Sequence, residues 1–201
     1  MRELRRATEA GNSGRRLVGL TFDDGSADLL HTALPVLEEL GFSATVFVIA
    51  GMLGGKNTWE HVHESHPELN LLTADEVREV SERGIEVGSH TMTHRRLADL
   101  DPAAVNQEVN DSRHVLGEVL GEEVEGLSYP YGSNSDTVIE AVHRAGYDYS
   151  CAWNEQDEWH RYSLPRIPVS EKDDLLRFAA KLRIYWSYRG IVKRYGKDHK
   201  P

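Results

Sequence analysis

The sequence predicts an α/β fold with mostly parallel strands, and three observations carry that expectation. Apolar, β-branched runs of strand length alternate with stretches of helical periodicity over most of the chain. Polar clusters stand directly after several of the apolar runs, where parallel α/β folds assemble their sites. The 201 residues show no sequence repeat and suffice for one domain with a large core. Alternation alone does not separate a closed barrel from an open doubly wound sheet. No G-x-G-x-x-G opens the first helix and no G-x-x-x-x-G-K-S/T occurs, so a nucleotide-binding fold has no support beyond its class.

Residues 1–16 are polar and read as a loose leader. Leu17–Phe22 (LVGLTF) reads as a buried strand that ends at Asp-Asp-Gly. From Asp28 to Leu40 the apolar positions follow helical spacing, and Gly41 supplies the stop. Ala44–Ala50 (ATVFVIA) is nearly continuous and β-branched, a strand covered on both faces. Residues 51–72 hold Gly and Pro without a sustained period and read as a long loop over one end of the sheet. Thr73 opens a capping-box pattern for a helix over Ala74–Arg83. Ile85–Ser89 is a short strand into His90, and Asp101-Pro102 starts a helix that runs to Leu120. Leu127–Tyr129 is a strand into Pro-Tyr-Gly, and Ser135–Ala145 a helix stopped by Gly146. Strands at Tyr147–Trp153 and Leu164–Val169 and a helix over Asp173–Trp186 complete the pattern. The expected domain is 17–190, with a charged tail at 191–201.

Composition narrows the function classes. Asp plus Glu is 33 and Lys plus Arg is 23, a net charge of −10 that argues against nucleic acid as the main partner. One cysteine excludes an internal disulfide framework and a Cys-rich zinc site. Cys151 lies in an apolar, aromatic stretch and reads as a buried, inert thiol. No apolar run approaches the ~18 residues of a membrane span. The basic N-terminus lacks the apolar segment of a secretory signal, so cytoplasmic action is the expectation.

Three clusters carry the chemistry: Asp23-Asp24-Gly25, His90-Thr91-Met92-Thr93-His94, and Tyr129-Pro130-Tyr131-Gly132. His90 and His94 are four apart, so in a helical turn both imidazoles project from one face and share a cation. With ten histidines in the chain that spacing alone is weak, and two surface histidines are the plain alternative. Adjacent carboxylates at a strand end repel and need a cation or a proton. In an extended segment they diverge, so one binds metal while the other faces water. The plain alternative is an Asp-Gly turn that caps the next helix. One carboxylate with two imidazoles leaves a fourth position open, which is a catalytic rather than a structural metal pattern.

The ordered set Thr21-Phe22-Asp23-Asp24-Gly25, Ser89–His94 and Ser128-Tyr129-Pro130-Tyr131-Gly132 resembles the first three motifs of the polysaccharide deacetylases (NodB homology domain, carbohydrate esterase family four). The resemblance covers about residues 17–169. It implies a distorted (β/α) barrel of about seven strands. It implies a metal, zinc with cobalt or nickel as substitutes, on Asp24, His90 and His94. Asp23 is then the general base, the Tyr131 backbone N–H binds the oxyanion, and Pro130 and Tyr131 border the substrate. The implied substrate is an N-acetylated carbohydrate.

Two departures from that pattern stand out. The family usually has Arg where this chain has Ser128, and that Arg orients the base. Arg166, after a candidate strand, is the expected replacement, with an ordinary surface ion pair as its alternative. The family's late Leu-x-x-His, source of the general acid, is absent, and His160 is the substitute to consider. His61, His63 and His66 lie in the long loop, where shaping the cleft outweighs a second metal site. Trp153 and Trp159 are candidates for stacking on sugar rings. Tyr185, Trp186 and Tyr188 among basic residues read as a helix packed on the barrel. A related amide or O-acetyl ester hydrolase, and a carbohydrate-binding protein with a weakened centre, are the competing functions; the intact Asp23 argues against the latter. The sequence gives no oligomeric state.

Overall fold

The computed structural model describes residues 1–2, 17–59, 68–153 and 161–183. Six strands form one sheet in sequential order: β1 (Thr21–Phe22), β2 (Thr45–Val48), β3 (Glu86–Ser89), β4 (Gly126–Ser128), β5 (Tyr149–Ala152) and β6 (Leu164–Pro165). Every neighbouring pair is parallel. Doubly wound sheets reverse direction at a switch point. A sheet that adds each new strand to the same side has no such reversal and follows the winding of a (β/α) barrel. This order settles the alternative that alternation leaves open. The strand number differs from the expected seven: the described residues hold six, and no ladder joins β6 to β1.

Helices α1 (Ala33–Leu40), α2 (Ala74–Glu82), α3 (Pro102–Leu120) and α4 (Asp136–Arg144) lie between the strands, and residues 175–183 are helical after β6. The sequence signals that start them act as read. Thr73 and Glu76 form a reciprocal capping box on α2. The Asp101 side chain accepts from the backbone of Ala103 and Ala104, with Pro102 at the first helical position of α3. One boundary differs: Asp28–Leu40 is a 3-10 turn, Ala27–Leu30, followed by α1. The strands are shorter than their apolar runs, because residues 17–20 and 166–169 extend past the ladder.

Two apolar layers result from the alternation of side chains along each strand. Val46, Val48, Val87 and Leu127 join the helices in the larger core. Phe47, Tyr149, Cys151 and Leu164 form a second cluster on the opposite face of the sheet. That second layer depends on two glycines. Phe47 pairs with Gly88 and Tyr149 with Gly126 in register, so each ring lies over a neighbour without a side chain. A Cβ on Gly126 would stand 2.2 Å from the Tyr149 ring, and one on Gly88 2.5 Å from Phe47. Cys151 is buried here, and burial pushes its thiol up to about 12, so it is protonated and inert as expected. Among the described residues no helix is long and apolar enough to cross a membrane.

The leader at 3–16, the three loop histidines, Trp159, His160 and the aromatic-basic segment with its tail lie outside the described residues.

Candidate active site

Parallel strands deliver their carboxyl ends to one rim, and the three polar clusters meet there. β1 leads into Asp23 and Asp24, β3 into His90, and β4 through Ser128 into Tyr129-Pro130-Tyr131. The ladder carries on to His90 itself, whose backbone N–H donates to the Val48 carbonyl at 2.8 Å.

The His90 Nδ1 lies 2.7 Å from the Ser128 carbonyl. A carbonyl only accepts, so Nδ1 carries the proton and Nε2 keeps its lone pair. Burial pushes the His90 pKa down against the pull of the Asp23 and Asp24 carboxylates, which favours the neutral ring. That Nε2 faces the Asp24 Oδ1 at 3.4 Å, and the His94 Nε2 stands 3.3 Å from the same oxygen. A lone pair facing a carboxylate oxygen is repulsive unless a cation or a proton sits between them. Ligand bonds of about 2.0–2.1 Å in a tetrahedron place neighbouring ligand atoms about 3.3–3.4 Å apart. The donor set therefore fits a small divalent cation on one carboxylate and two imidazoles, whose ligand atoms all lie within 4.8 Å of one another.

The route to this arrangement differs from the expected one. Residues 90–94 are not a helical turn, and Thr91 and His94 take φ of 67° and 60°. Asp24, at φ 69°, is not extended either. Asp24 and His94 are themselves left-handed, and their side chains converge with the His90 ring on one point. Neither carboxylate caps the next element, whose N-cap is Ser26 without a side-chain hydrogen bond.

Asp23 points to a different partner. Arg166 donates from Nη1 to Oδ1 and from Nη2 to Oδ2, both at 2.7 Å. Nη2 also reaches the Ser128 Oγ at 2.9 Å, and Nη1 reaches the Thr21 Oγ1 at 3.2 Å. The side chain thus bridges β1 and β4 from the end of β6, across the seam where backbone pairing is missing. Burial works to raise the Asp23 pKa, but its neighbours, among them the Arg166 guanidinium with its two hydrogen bonds and the Ser128 hydroxyl, hold the carboxyl below its usual range.

The sequence profile of the polysaccharide deacetylases matches residues 10–150 of this chain. The chain belongs to the polysaccharide deacetylase family. Among its relatives, the Bacillus subtilis protein YxkH is 30% identical over 166 residues, 81% of this chain and 55% of its own. A poly-beta-1,6-N-acetyl-D-glucosamine N-deacetylase of Staphylococcus epidermidis is 27% identical over 182 residues, 85% of this chain and 60% of its own. The chain thus spans little more than half the length of these curated relatives. In fold it is similar to the Streptococcus pyogenes deacetylase PplD solved with acetate, with a TM-score of 0.76, 24% identity and coverage of 90% and 77% of the two chains. It is also similar to a de-N-acetylase from Aggregatibacter actinomycetemcomitans, with a TM-score of 0.69, 19% identity and coverage of 88% and 80%.

Around the polysaccharide deacetylase motifs the structure adds residues that spacing does not reveal. The Trp59 ring lies 4.6 Å from His94, and the Tyr131 ring 4.8 Å from it. Arg96 stacks over Tyr131 at 4.3 Å. Trp59 sits in an irregular stretch with no period to mark it. Tyr131 has φ 57° in a turn over buried Pro130. Trp153 is 61% exposed on the same rim, and its backbone packs on Gly132.

Proposed function

We propose that this domain is a metal-dependent hydrolase that removes N-acetyl groups from an N-acetylated sugar in a polysaccharide or glycoconjugate. The single observation that carries the reading is the pairing of two acidic neighbours with different partners. Asp24 faces His90 and His94, while Asp23 is held by Arg166. A site that only held an ion would have no use for the second, oriented carboxylate.

Asp24, His90 and His94 would hold the cation, zinc first and cobalt or nickel as substitutes. When bound, the cation supplies Lewis acidity that acidifies water and polarises a carbonyl oxygen. Asp23 accepts the proton of the water as it attacks the N-acetyl carbonyl carbon. Arg166 keeps that carboxylate ionised and fixes its direction with a planar two-point contact. The Tyr131 backbone N–H donates to the oxyanion. Pro130 and Tyr131 border the acetyl group, and exposed Trp153 offers an apolar face to a sugar ring. The C–N bond then breaks, the leaving nitrogen takes a proton from solvent, Asp23 gives its proton back to solvent, and acetate leaves.

The N-acetylglucosamine polymer in the name of the staphylococcal relative supports this substrate class. The test is acetate release from a panel of N-acetyl and O-acetyl sugars by zinc-loaded protein. Release from N-acetylglucosamine oligomers with appearance of free amine supports the proposal. Release from O-acetyl sugars alone moves the activity to ester hydrolysis.

A further inference from the structure

The His90–His94 turn has an unusual set of hydrogen bonds. All four amides that follow His90 donate to side-chain oxygens. Thr91 N–H donates to the Ser89 Oγ at 3.1 Å, and His94 N–H to the Thr91 Oγ1 at 3.1 Å. Met92 and Thr93 N–H both donate to one oxygen of Glu108, at 2.9 Å each. The Thr93 hydroxyl donates to the other Glu108 oxygen. Glu108 is only 6% exposed, and among the described residues no Lys, Arg or His forms an ion pair with it.

We propose that Glu108, on α3, is a positioning residue for the metal site: its carboxylate holds the His90–His94 turn in the conformation that presents both imidazoles to Asp24. The inference rests on the metal reading above. The turn needs outside support, because Thr91 and His94 are both left-handed without being glycine. A carboxylate with three donors forms charge-assisted hydrogen bonds that a neutral side chain does not reproduce. One helical turn further on, Ser112 accepts from the Ser89 Oγ at 2.9 Å, and Ser89 in turn receives Thr91 N–H. The same face of α3 therefore fixes the turn at its start through Ser112 and at its middle through Glu108. Groups that orient metal ligands in this way act on affinity as well as on shape.

A merely structural Glu108 would dock α3 and leave the metal alone. The comparison variant is Asp101→Ala, which removes the N-cap of α3 and weakens the helix without touching the turn. Zinc affinity is measured by competition with a chelator in the parent, Glu108→Gln and Asp101→Ala proteins. Melting of each metal-free protein is followed in parallel. Glu108→Gln should bind zinc about 10–100-fold more weakly. Asp101→Ala should keep parental affinity despite a lower melting temperature. Cobalt loaded into Glu108→Gln should also show an altered absorption spectrum. Parental zinc affinity in Glu108→Gln, or equal losses in both variants, overturns the proposal. If Glu108→Gln does not fold, Thr93→Val removes one of the three donors; weaker zinc binding there supports the proposal and parental binding overturns it. A parent protein that binds no zinc contradicts the metal reading itself, a result separate from either.

Discussion

Arg166 and Asp23 are 143 residues apart in the chain and joined by two parallel hydrogen bonds of 2.7 Å. The pair sits where β6 and β1 have no backbone ladder, so a side chain ties together the ends of the sheet. Arg166 is 16% exposed and Asp23 30%, so the contact is shielded without being sealed. This contact supplies the oriented carboxylate on which the proposed mechanism depends.

Replacing Arg166 should therefore change turnover before it changes folding. Arg166→Lys keeps the charge but loses the planar fork, and kcat should fall about 10–100-fold with a cooperative thermal transition retained. The sign of the pH effect follows from the depressed Asp23 pKa. The pairing stabilises the fold above the ordinary carboxylate value of about 3.9, and that stabilisation is lost as pH falls through the lower folded value. Without Arg166 the lowering is weakened, so the acid limb of the rate profile should move to higher pH in Arg166→Ala. An acid limb that stays in place would show that Asp23 does not depend on Arg166.

Ser128 gives a swap test. It is fully buried, and its hydroxyl receives Arg166 where the family usually places its own Arg. Ser128→Arg alone should lose activity, because two guanidinium groups then compete for one carboxylate. Adding Arg166→Ala should restore part of that loss. A double variant slower than both single variants would mean that the two positions do not exchange the role.

The two acidic neighbours should separate under substitution. Asp23→Asn should keep one metal per chain and lose about 10²–10⁴-fold in turnover, the range of general acid–base assistance. Asp24→Asn should weaken metal binding. Metal analysis after gel filtration distinguishes them, and equal metal loss in both would mean that the roles are misassigned.

The second apolar cluster, around Phe47 and Tyr149, predicts a fold effect away from the chemistry. Gly126→Ala places a methyl group against the Tyr149 ring and should cost about 1–3 kcal/mol by urea unfolding, the range of overpacked cores. Parental stability would mean that Tyr149 moves aside freely.

Much of this architecture was legible in the sequence, for identifiable reasons. Capping chemistry is local, so Thr73 and Asp101 marked α2 and α3 closely. Strand direction and the six strand positions followed from alternation, and the figure of about seven came from the family resemblance alone; the strand lengths did not follow, because apolar runs such as LVGLTF extend beyond their ladders. The grouping of Asp24, His90 and His94 was foreseen from motif order, but by way of a helical turn that does not form. Left-handed φ at Thr91 and His94 has no signature in residues that are not glycine. The Asp23–Arg166 contact was expected from the need of a base for a cation. Glu108 carries a signal in its spacing: it falls with Val105, Val109, Ser112 and Leu116 on the buried face of α3, an acidic residue turned inward. Trp59 had none.

The most direct test of the central claim is a zinc titration of metal-free protein with acetate release as the readout. N-acetylglucosamine oligomers serve as substrate. With Asp24, His90 and His94 as one site, activity should be absent without metal, rise in proportion to added zinc, and break at one equivalent per chain. Undiminished acetate release from the metal-free protein, or none at any zinc level despite one zinc bound, would contradict the account.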